Sequence, residues 1–207
     1  MKVKKTKFKG LLIYKKKSFN DNRGYFRELF LEKNFKTKFP FDAMSYSKKN
    51  VLRGLHLQRK NPQAKLITVL SGKIYDVSVD CRKRSKTFGK YFSIILSEKN
   101  NKSLLIPAGF AHGFYALTDN VVLLYKSSKY RHSKSETGIK WNDRDLKIKW
   151  PIKKMIISQK DKGLLPITDK RMTRFFITLE ESIKFVIDSF KIIMWYSYNN
   201  RIIGSIN

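Results

Sequence analysis

The sequence predicts an all-β domain, a β-sandwich or barrel, followed by a short helical appendage. Between Met44 and Lys126, short apolar runs recur at roughly ten-residue spacing and are separated by turn residues such as Gly and Asn. Residues 178–190 instead place apolar side chains at helical spacing, and Thr178 with Glu181 forms a capping box. A chain of 207 residues can bury such a core without disulfides.

The N-terminal part of the chain predicts two short strands and a polar connection. Residues 10–14 form an apolar run between lysines, and residues 25–30 resume an apolar pattern after a turn at residues 21–24. Residues 32–43 are polar and predict a loop or a helical turn. The β pattern is expected to start in earnest at Met44.

The central part of the chain carries the remaining strands. A tight turn signal, Ser71-Gly72-Lys73, separates two apolar runs, which we expect to pair as a β-hairpin. The predicted strands of this part cover residues 51–57, 66–70, 74–80, 88–96, 104–106 and 121–126, and residues 104–106 lead into the segment 107–114.

Charge and composition restrict the class of protein. The 45 Lys and Arg residues outnumber the 16 Asp and Glu residues, which gives a formal net charge of +29. Such a charge is compatible with a nucleic-acid partner, but the lysines are spread along the chain and form no long basic block. We therefore expect no nucleic acid, and a positive field that attracts an anionic small substrate such as a nucleotide.

The sequence also predicts a cytoplasmic protein without a membrane span. Cys81 is the only cysteine, so no disulfide can form within the chain, as is usual in a reducing cytosol. The lysine-rich N-terminus lacks the apolar segment of a signal peptide. No run of about 18 apolar residues is present.

His56 is a candidate general base. It lies within an apolar run that follows Arg53 and Gly54, and such surroundings favour the neutral imidazole that a general base needs. Lys65 follows nine residues later, a separation compatible with a hairpin. The alternative is a core histidine that only satisfies backbone groups, with a solvated Lys65.

Two further residues are candidates from their local pattern. Arg23, beside Gly24 on a turn, is either solvated or a clamp for a diphosphate, whose oxygens match the guanidinium fork. His112 ends the motif Pro107-x-Gly109-x-x-His112, which resembles the turn of cupins that points a histidine into the barrel. A satisfied wall residue is the alternative for His112.

No metal site is expected. Metal-binding cupins carry an earlier His-x-His motif and a carboxylate, whereas here only His56 stands at that motif and His132 lies in a polar segment. Zinc and iron sites normally need at least three protein ligands. We also expect no other cofactor.

A series of motifs in order resembles the dTDP-4-dehydrorhamnose 3,5-epimerase family over about residues 8–163. The resemblance rests on the whole series, since no single motif is specific. The motifs cover residues 19–26, 51–58, 63–66, 76–80, 85–89, 106–114, 124–126, 139–143 and 158–161.

The resemblance implies a fold, a reaction and catalytic roles. The fold is a cupin-type jelly-roll β-sandwich, which uses no metal and forms a homodimer with exchanged N-terminal strands. The substrate is a dTDP-4-keto-6-deoxyhexose, an intermediate of dTDP-rhamnose and polysaccharide biosynthesis, which is inverted at C3 and C5. His56 matches the family base, Asp161 its orienting carboxylate, Lys65 the cation beside the enolate oxygen, and Tyr125 the acid on the opposite face.

The resemblance also implies substrate-binding residues. Arg23 and Arg53 match contacts to the nucleotide diphosphate, and Arg23 would reach a partner subunit's site. Glu28 matches a contact to the nucleoside. The remaining binding candidates are Gln58, His112 and Tyr130.

The chain departs from the family pattern at two places. Phe41 and Ala43 stand where the family usually has a Gln-x-Asn pair that contacts the ligand. An amide replaced by an apolar side chain loses a hydrogen bond or two, each worth about 1 kcal/mol. Arg131 follows Tyr130 where the family commonly has paired tyrosines. Catalysis is expected to survive these changes, while affinity is open.

The tail forms a separate segment in the predicted organisation, with an epimerase domain at residues 1–163 and a helical tail at residues 164–207. Residues 165–180, which include Met172-Thr173-Arg174-Phe175, resemble a fragment of UDP-N-acetylglucosamine 4,6-dehydratases. Residues 164–207 contain neither the glycine-rich loop nor the Tyr-x-x-x-Lys pair of those enzymes, so we expect no dehydratase chemistry from the tail. Such a tail is expected from a gene fusion or a frame-shift scar that joins two neighbouring sugar-nucleotide genes.

Two alternatives to the epimerase stay open. One is a related sugar-nucleotide enzyme, either a 3,4-ketoisomerase or an epimerase of a single carbon. The other is a protein that binds nucleotide sugars without catalysis.

Overall fold

A computed structural model of the protein describes residues 2–164. Within them, two antiparallel sheets pack face to face, and a separate two-stranded hairpin completes the fold. This confirms the predicted all-β jelly-roll sandwich. The helix predicted over residues 178–190 and the rest of the tail lie outside the described residues.

The elements are numbered in chain order. The strands are β1 (Lys2–Lys5), β2 (Leu12–Lys15), β3 (Ser18–Asp21), β4 (Gly24–Arg27), β5 (Phe41–Ser47), β6 (Leu52–Gln58), β7 (Lys65–Ser71), β8 (Lys73–Asp80), β9 (Tyr91–Ser97), β10 (Lys102–Ile106), β11 (Phe110–Ala116), β12 (Val121–Ser127) and β13 (Glu136–Gly138). Single 3₁₀ turns lie at Glu32–Asn34 and Ser133–Ser135, and helix α1 covers Gln159–Lys162.

The strand order brings distant segments together. One sheet has the order β1-β2-β10-β7-β12-β5, and the facing sheet has the order β13-β6-β11-β8-β9. The separate hairpin is β3-β4. Strand β11 is buried along its whole length, whereas β5, at an edge, alternates between exposed and partly buried side chains with the period of two that a half-buried strand requires.

The core fills the space between the two sheets. Phe8, in the connection from β1 to β2, packs edge-to-face on Phe92 and Phe110, with ring centroids 6.1 and 6.2 Å apart. Buried side chains from both sheets surround it, among them Ile67, Val69, Ile74, Leu96, Leu104, Phe114 and Leu123.

The predicted hairpin at Gly72 is wrong. Strands β7 and β8 flank this turn, but they belong to different sheets, so the turn carries the chain across the sandwich. Gly72 has a φ of +80°, and a Cβ there would lie only 2.7 Å from the hydroxyl oxygen of Thr118. The hairpin relation between His56 and Lys65 is wrong for the same reason, since their strands β6 and β7 lie in facing sheets.

The connection to β5 also differs in detail from its prediction. Residues 32–43 contain one 3₁₀ turn, and β5 already begins at Phe41. Strand β13, which pairs with β6, was not predicted. Within residues 2–164, no helix has the length and apolar character that a membrane span requires.

A buried lysine lies on the outer side of the six-stranded sheet. Lys16, directly after β2, is only 6% exposed, and its Nζ donates a hydrogen bond of 2.9 Å to Thr68. Thr68 in turn shares a 2.8 Å hydrogen bond with Ser103. Burial, with the nearby charge of Arg27, lowers the pKa of Lys16 to about 7.

Candidate active site

A cavity of about 530 Å³ opens between the two sheets. Its walls come from β5, β7 and β12 on one side and from β6 and β11 on the other, and residues around β13 and α1 complete the rim. The four residues predicted to be catalytic all line it: His56, Lys65, Tyr125 and Asp161.

His56 and Asp161 form a hydrogen-bonded pair. Ser158 caps α1 by accepting a hydrogen bond from the Asp161 amide, which places Asp161 in the first turn of the helix. One Asp161 oxygen lies 2.9 Å from His56 Nε2, and the other accepts a 3.1 Å hydrogen bond from the Gly54 amide. Burial opposes ionisation, but these hydrogen bonds outweigh it and hold the pKa of Asp161 below its usual range.

Two glycines allow β6 and β11 to approach closely beside this pair. Gly54 has a φ of +123°, and a Cβ at this position would lie 2.5 Å from the Cα of Gly113. A Cβ at Gly113 would lie 2.6 Å from the carbonyl oxygen of Arg53. Both contacts are shorter than a side chain tolerates, so the Gly54 amide reaches Asp161 only because neither position carries one.

A second carboxylate, Glu136 of β13, faces the same histidine, and the sequence did not single it out. Its Oε1 lies 3.6 Å from His56 Nδ1, and its Oε2 accepts hydrogen bonds of 2.9 Å from both Arg131 and Lys160. Burial opposes ionisation, yet the two cations lower the pKa of Glu136 to about 2. A glutamate among basic residues is ordinary surface sequence, so only the pairing of β13 with β6 reveals its place.

Lys65 and Tyr125 approach the cavity from the six-stranded sheet. Lys65 begins β7, where burial lowers the pKa of its ammonium, against the attraction of Glu136. Tyr125 of β12 lies directly opposite Ala43 of β5 in the sheet register. Burial raises the pKa of Tyr125 to about 12, so its phenol is protonated at neutral pH.

Two serines of β5 hydrogen-bond side chains of the predicted site. The hydroxyl of Ser45 lies 3.0 Å from the hydroxyl of Tyr125. The hydroxyl of Ser47 accepts a 3.0 Å hydrogen bond from Arg53 Nε, and the Arg53 guanidinium also donates to the Tyr46 carbonyl oxygen at 2.9 Å. Arg53 is thereby held at the cavity wall.

His112 lines the cavity in a pair of its own. It lies opposite His56 in the register of β11 with β6, and its Nε2 is 2.7 Å from Asp76 Oδ2. Both side chains are buried. The other Asp76 oxygen is buried without a partner among the described residues.

The side chains of two predicted binding residues, Gln58 and Tyr130, contact neighbouring parts of the protein. Gln58 borders the cavity, but its amide nitrogen donates to the Asn61 carbonyl oxygen at 2.8 Å and its amide oxygen accepts from the His132 amide at 2.7 Å. The side chain thus braces the loop before β13. Tyr130, on that loop, is 69% exposed and packs against Phe41 rather than lining the cavity.

Arg23 and Glu28 lie away from the cavity of their own chain. Arg23, in the turn between β3 and β4, is exposed and pairs with Asp21 at 2.7 Å. Glu28 follows β4 and is also exposed. The structure therefore does not bring these two residues to the seven predicted side chains that line the cavity.

The three positions that depart from the family pattern all lie at the cavity. Phe41 and Ala43 form an apolar part of its wall on β5, and Arg131 extends from the rim towards Glu136. The cations Arg53, Lys65, Arg131 and Lys160 outnumber the lining carboxylates Glu136 and Asp161. Such a cavity favours an anionic ligand. Across residues 2–164, no group of three or more His, Cys, Asp and Glu side chains is arranged to hold a metal ion.

A family model described as dTDP-4-dehydrorhamnose 3,5-epimerase matches residues 5–169. A second model, described as polysaccharide biosynthesis protein, matches residues 151–195, which overlap the tail. A curated dTDP-4-dehydrorhamnose 3,5-epimerase from Methanothermobacter thermautotrophicus is 41% identical over 173 residues, which span 80% of this chain and 94% of the relative. The protein of the same name from Escherichia coli is 41% identical over 82% of this chain and 96% of its own length.

Solved structures show the same similarity. A dTDP-6-deoxy-D-glucose-3,5-epimerase from Legionella pneumophila, in complex with dTDP-4-keto-L-rhamnose, has a TM-score of 0.77 and 39% identity over 80% of this chain and 92% of its own. A dTDP-4-dehydrorhamnose 3,5-epimerase from Bacillus anthracis, with TDP and pyrophosphate bound, also has a TM-score of 0.77 and 39% identity, over 80% of this chain and 99% of its own.

Proposed function

Because this chain belongs to the dTDP-4-dehydrorhamnose 3,5-epimerase family, we propose that it epimerises a dTDP-4-keto-6-deoxyhexose at C3 and C5. One observation carries the proposal. His56, the proposed base, and Tyr125, the proposed acid, enter one cavity from facing sheets. Inversion removes a proton from one face of a carbon and returns a proton to the other, so it needs two groups placed in this way.

The first step is proton removal by His56. The C4 ketone acidifies the protons at C3 and C5, because the carbanion left behind delocalises into an enolate. With Nε2 bonded to Asp161, Nδ1 is the nitrogen left to accept the proton. Asp161 fixes the tautomer and stabilises the imidazolium that forms, as a carboxylate does in any such dyad. Glu136, 3.6 Å from Nδ1, adds negative charge beside the same ring.

Lys65 stabilises the enolate. Its ammonium lies on β7, across the sandwich from the histidine strand, and it is partly buried. A cation in a cavity with little water interacts more strongly with developing negative charge than one in bulk solvent. We place the substrate's C4 oxygen at this ammonium.

Tyr125 returns the proton on the opposite face. Its raised pKa keeps the phenol protonated until the carbanion takes the proton. The enolate's electron pair forms the new C–H bond, the C4 carbonyl re-forms, and the phenol becomes a phenolate. Solvent water then reprotonates the phenolate and removes the proton from His56.

The cations of the cavity bind the diphosphate. Arg53 is already oriented by Ser47 and the Tyr46 carbonyl, so little conformational freedom is lost when it meets phosphate oxygens. His112 is a further contact to the substrate from the same sheet as the base. This binding role is compatible with the excess of positive charge along the walls.

We also propose a homodimer in which the N-terminal strands exchange. Arg23 and Glu28 lie away from the cavity of their own chain, on and after a hairpin that exposes Phe19, Tyr25 and Phe26. Exposed aromatics at this density are typical of an interface. A second copy would cover them and receive Arg23 as a diphosphate contact and Glu28 as a nucleoside contact. Tyr130 is proposed to contact the nucleotide at the same mouth.

Light scattering at micromolar protein concentration tests the dimer, with a dimer as the expected result. Arg23→Ala should then raise the KM for the nucleotide sugar more than it lowers kcat. A monomer that turns over at the dimer's rate would contradict the contribution of Arg23 to the partner's site.

The thiol of Cys81 is buried and free, which supports a cytoplasmic location for the protein.

Solvent exchange tests the reaction itself. The purified protein is incubated with dTDP-4-keto-6-deoxyglucose in deuterated water, and label is read at each carbon by NMR. Label at both C3 and C5 is expected. Label at one carbon would indicate a single-carbon epimerase, and a moved ketone would indicate a 3,4-ketoisomerase. A ligand-induced rise in Tm without exchange would indicate a binding protein.

Tyr125→Phe separates the acid from the base. Proton removal, read as exchange into the substrate, should persist in this variant, while net inversion at C5 falls. Normal inversion would mean that another group is the acid, and His112, which lines the same cavity, would then be the next to test.

A further inference from the structure

The hydroxyl of Ser45 is the hydrogen-bond partner of the proposed acid. Within residues 2–164, the hydroxyls of Ser45 and Tyr125 bond only to each other, at 3.0 Å. They lie on the adjacent strands β5 and β12, where Ser45 is offset by one inward position from Ala43, the register partner of Tyr125.

The direction of this hydrogen bond decides whether the phenol can act as an acid. A phenol carries one proton. If Tyr125 donates to Ser45, that proton is not available to the substrate. If Ser45 donates to the phenol oxygen, the tyrosine proton is free to point into the cavity.

The same donor also favours the phenolate that forms on transfer. Hydrogen bonds to a charged group are stronger than those to a neutral one, so the Ser45 bond gains strength as Tyr125 gives up its proton. Around the phenol, Asp76 opposes the negative charge while Ser45 and Arg53 favour it. Ser45 is the member of this group that touches the phenol oxygen.

We propose that Ser45 is a positioning residue for the epimerisation: it donates its hydrogen bond to Tyr125, directs the phenol proton into the cavity and stabilises the phenolate. The inference rests on the proposed function. Its specific consequence is that Ser45 affects proton return by Tyr125 and leaves proton removal by His56 unchanged.

The test compares two processes at C5 in the same sample. In deuterated water, exchange without inversion reports proton removal by His56 and return to the same face, whereas inversion reports delivery by Tyr125. Ser45→Ala should lower the ratio of inversion to exchange by about 10- to 100-fold, the effect of losing a hydrogen bond to a developing charge. The ratio does not depend on how much of the variant is folded, because both processes use the same active molecules.

Two further variants complete the design. Ser45→Thr keeps a hydroxyl and should restore most of the ratio. Ser93→Ala is the matched control. Ser93 lies on β9 between Phe92 and Ile94, whose side chains pack on the core, so its own side chain points to the outer face of the five-stranded sheet, away from the cavity.

Three outcomes would overturn the role of Ser45. These are a wild-type ratio in Ser45→Ala, a proportional loss of both processes, and a ratio in Ser45→Thr as low as in Ser45→Ala. A wild-type protein that exchanges neither proton would instead overturn the proposed function, so the two failures are distinguishable.

Discussion

Strands β7 and β12 are each divided into two regions with different surroundings. Ile67 and Val69 of β7, and Leu123 of β12, are buried in the core. Lys65, two residues before Ile67, and Tyr125, two residues after Leu123, lie on the same inward faces of these strands but line the cavity. From Leu123, which pairs with Val69, to Ser127, which pairs with Lys65, the register of the two strands is regular, and its one shift lies before Leu123.

This difference shows how the fold separates stability from chemistry. The core region is held by apolar packing between the sheets. In the cavity region, the polar side chains depend on partners from neighbouring elements, as His56 depends on Asp161 of α1 and Tyr125 on Ser45 of β5. Substitutions in the two regions should therefore have separable effects.

The largest effect is expected from His56→Ala, which removes the proposed base. Exchange at C3 and C5 should both fall to the rate of the substrate in buffer, because one base serves both carbons. The variant should stay folded with a loss of about 1–3 kcal/mol, since Asp161 keeps its hydrogen bond from Gly54. Exchange is read by NMR and folding by urea titration. Retained exchange in a folded variant would show that this strand is only structural.

Asp161→Asn should slow exchange by about 10²- to 10⁴-fold, the usual scale of general-base help. The new amide would keep its oxygen towards the Gly54 amide and turn its NH₂ group towards His56 Nε2, which stabilises the wrong tautomer. Substrate affinity and Tm should stay near their wild-type values. A variant that exchanges at the wild-type rate would remove Asp161 from the mechanism.

A substitution in the core region should lower stability and leave catalysis nearly unchanged. Leu123→Ala should lower the free energy of unfolding by about 2–5 kcal/mol, because the side chain is completely buried among core residues. The exchange rate per folded molecule should change little, although Tyr125 is only two residues away. The measurement is a urea titration combined with the exchange assay. A loss of activity in the folded fraction would mean that core and cavity are coupled.

The smallest effect concerns Lys16, a charge buried on the outer face of the same sheet. Its pKa of about 7 in the folded protein lies below that of an unfolded lysine, so the unfolded chain binds more protons between about pH 7 and 10.5. The contribution of Lys16 to stability therefore rises with pH across this window. Lys16→Met should stabilise the protein by at least about 1 kcal/mol at pH 7, and the gain should shrink towards pH 10.

Urea titrations of both proteins at several pH values measure this difference. If the stability gained in Lys16→Met is independent of pH, then burial does not lower the pKa of Lys16 in the folded protein. The exchange assay serves as the control, because Lys16 lies on the outer side of the sheet and is bonded to Thr68, whereas the cavity opens between the two sheets.

Most strands of the two sheets could be predicted from the sequence, but their partners could not. Ser71-Gly72-Lys73 gives a clear turn signal, and the turn is present, yet β8 joins the other sheet. A turn motif describes the local direction of the chain, whereas the choice of sheet depends on which partner strand buries the next apolar face. For this reason the sequence placed Lys65 beside His56 and not across the interior from it.

The cavity residues that belong to the family-like motifs could be predicted from the sequence. Residues that reach the cavity only through strand pairing could not. His56, Lys65, Tyr125 and Asp161 were all predicted, and all line one cavity. Glu136 was not, because its three-residue strand has no apolar alternation that a sequence pattern could reveal. Arg23 is exposed and paired with Asp21 away from this cavity, so its proposed role requires a second subunit.

The close approach of Gly54 and Gly113 has a consequence for how this enzyme tolerates change. Neither glycine takes part in the chemistry, yet a methyl group on either would push β6 away from β11. That displacement would move the Gly54 amide away from Asp161 and so disturb the carboxylate that is bonded to His56. In a saturation library selected for turnover, these two positions should admit no replacement, while the neighbouring Leu55 accepts other apolar residues. The backbone contact between Gly54 and Gly113 would then be as sensitive to mutation as the proposed catalytic side chains.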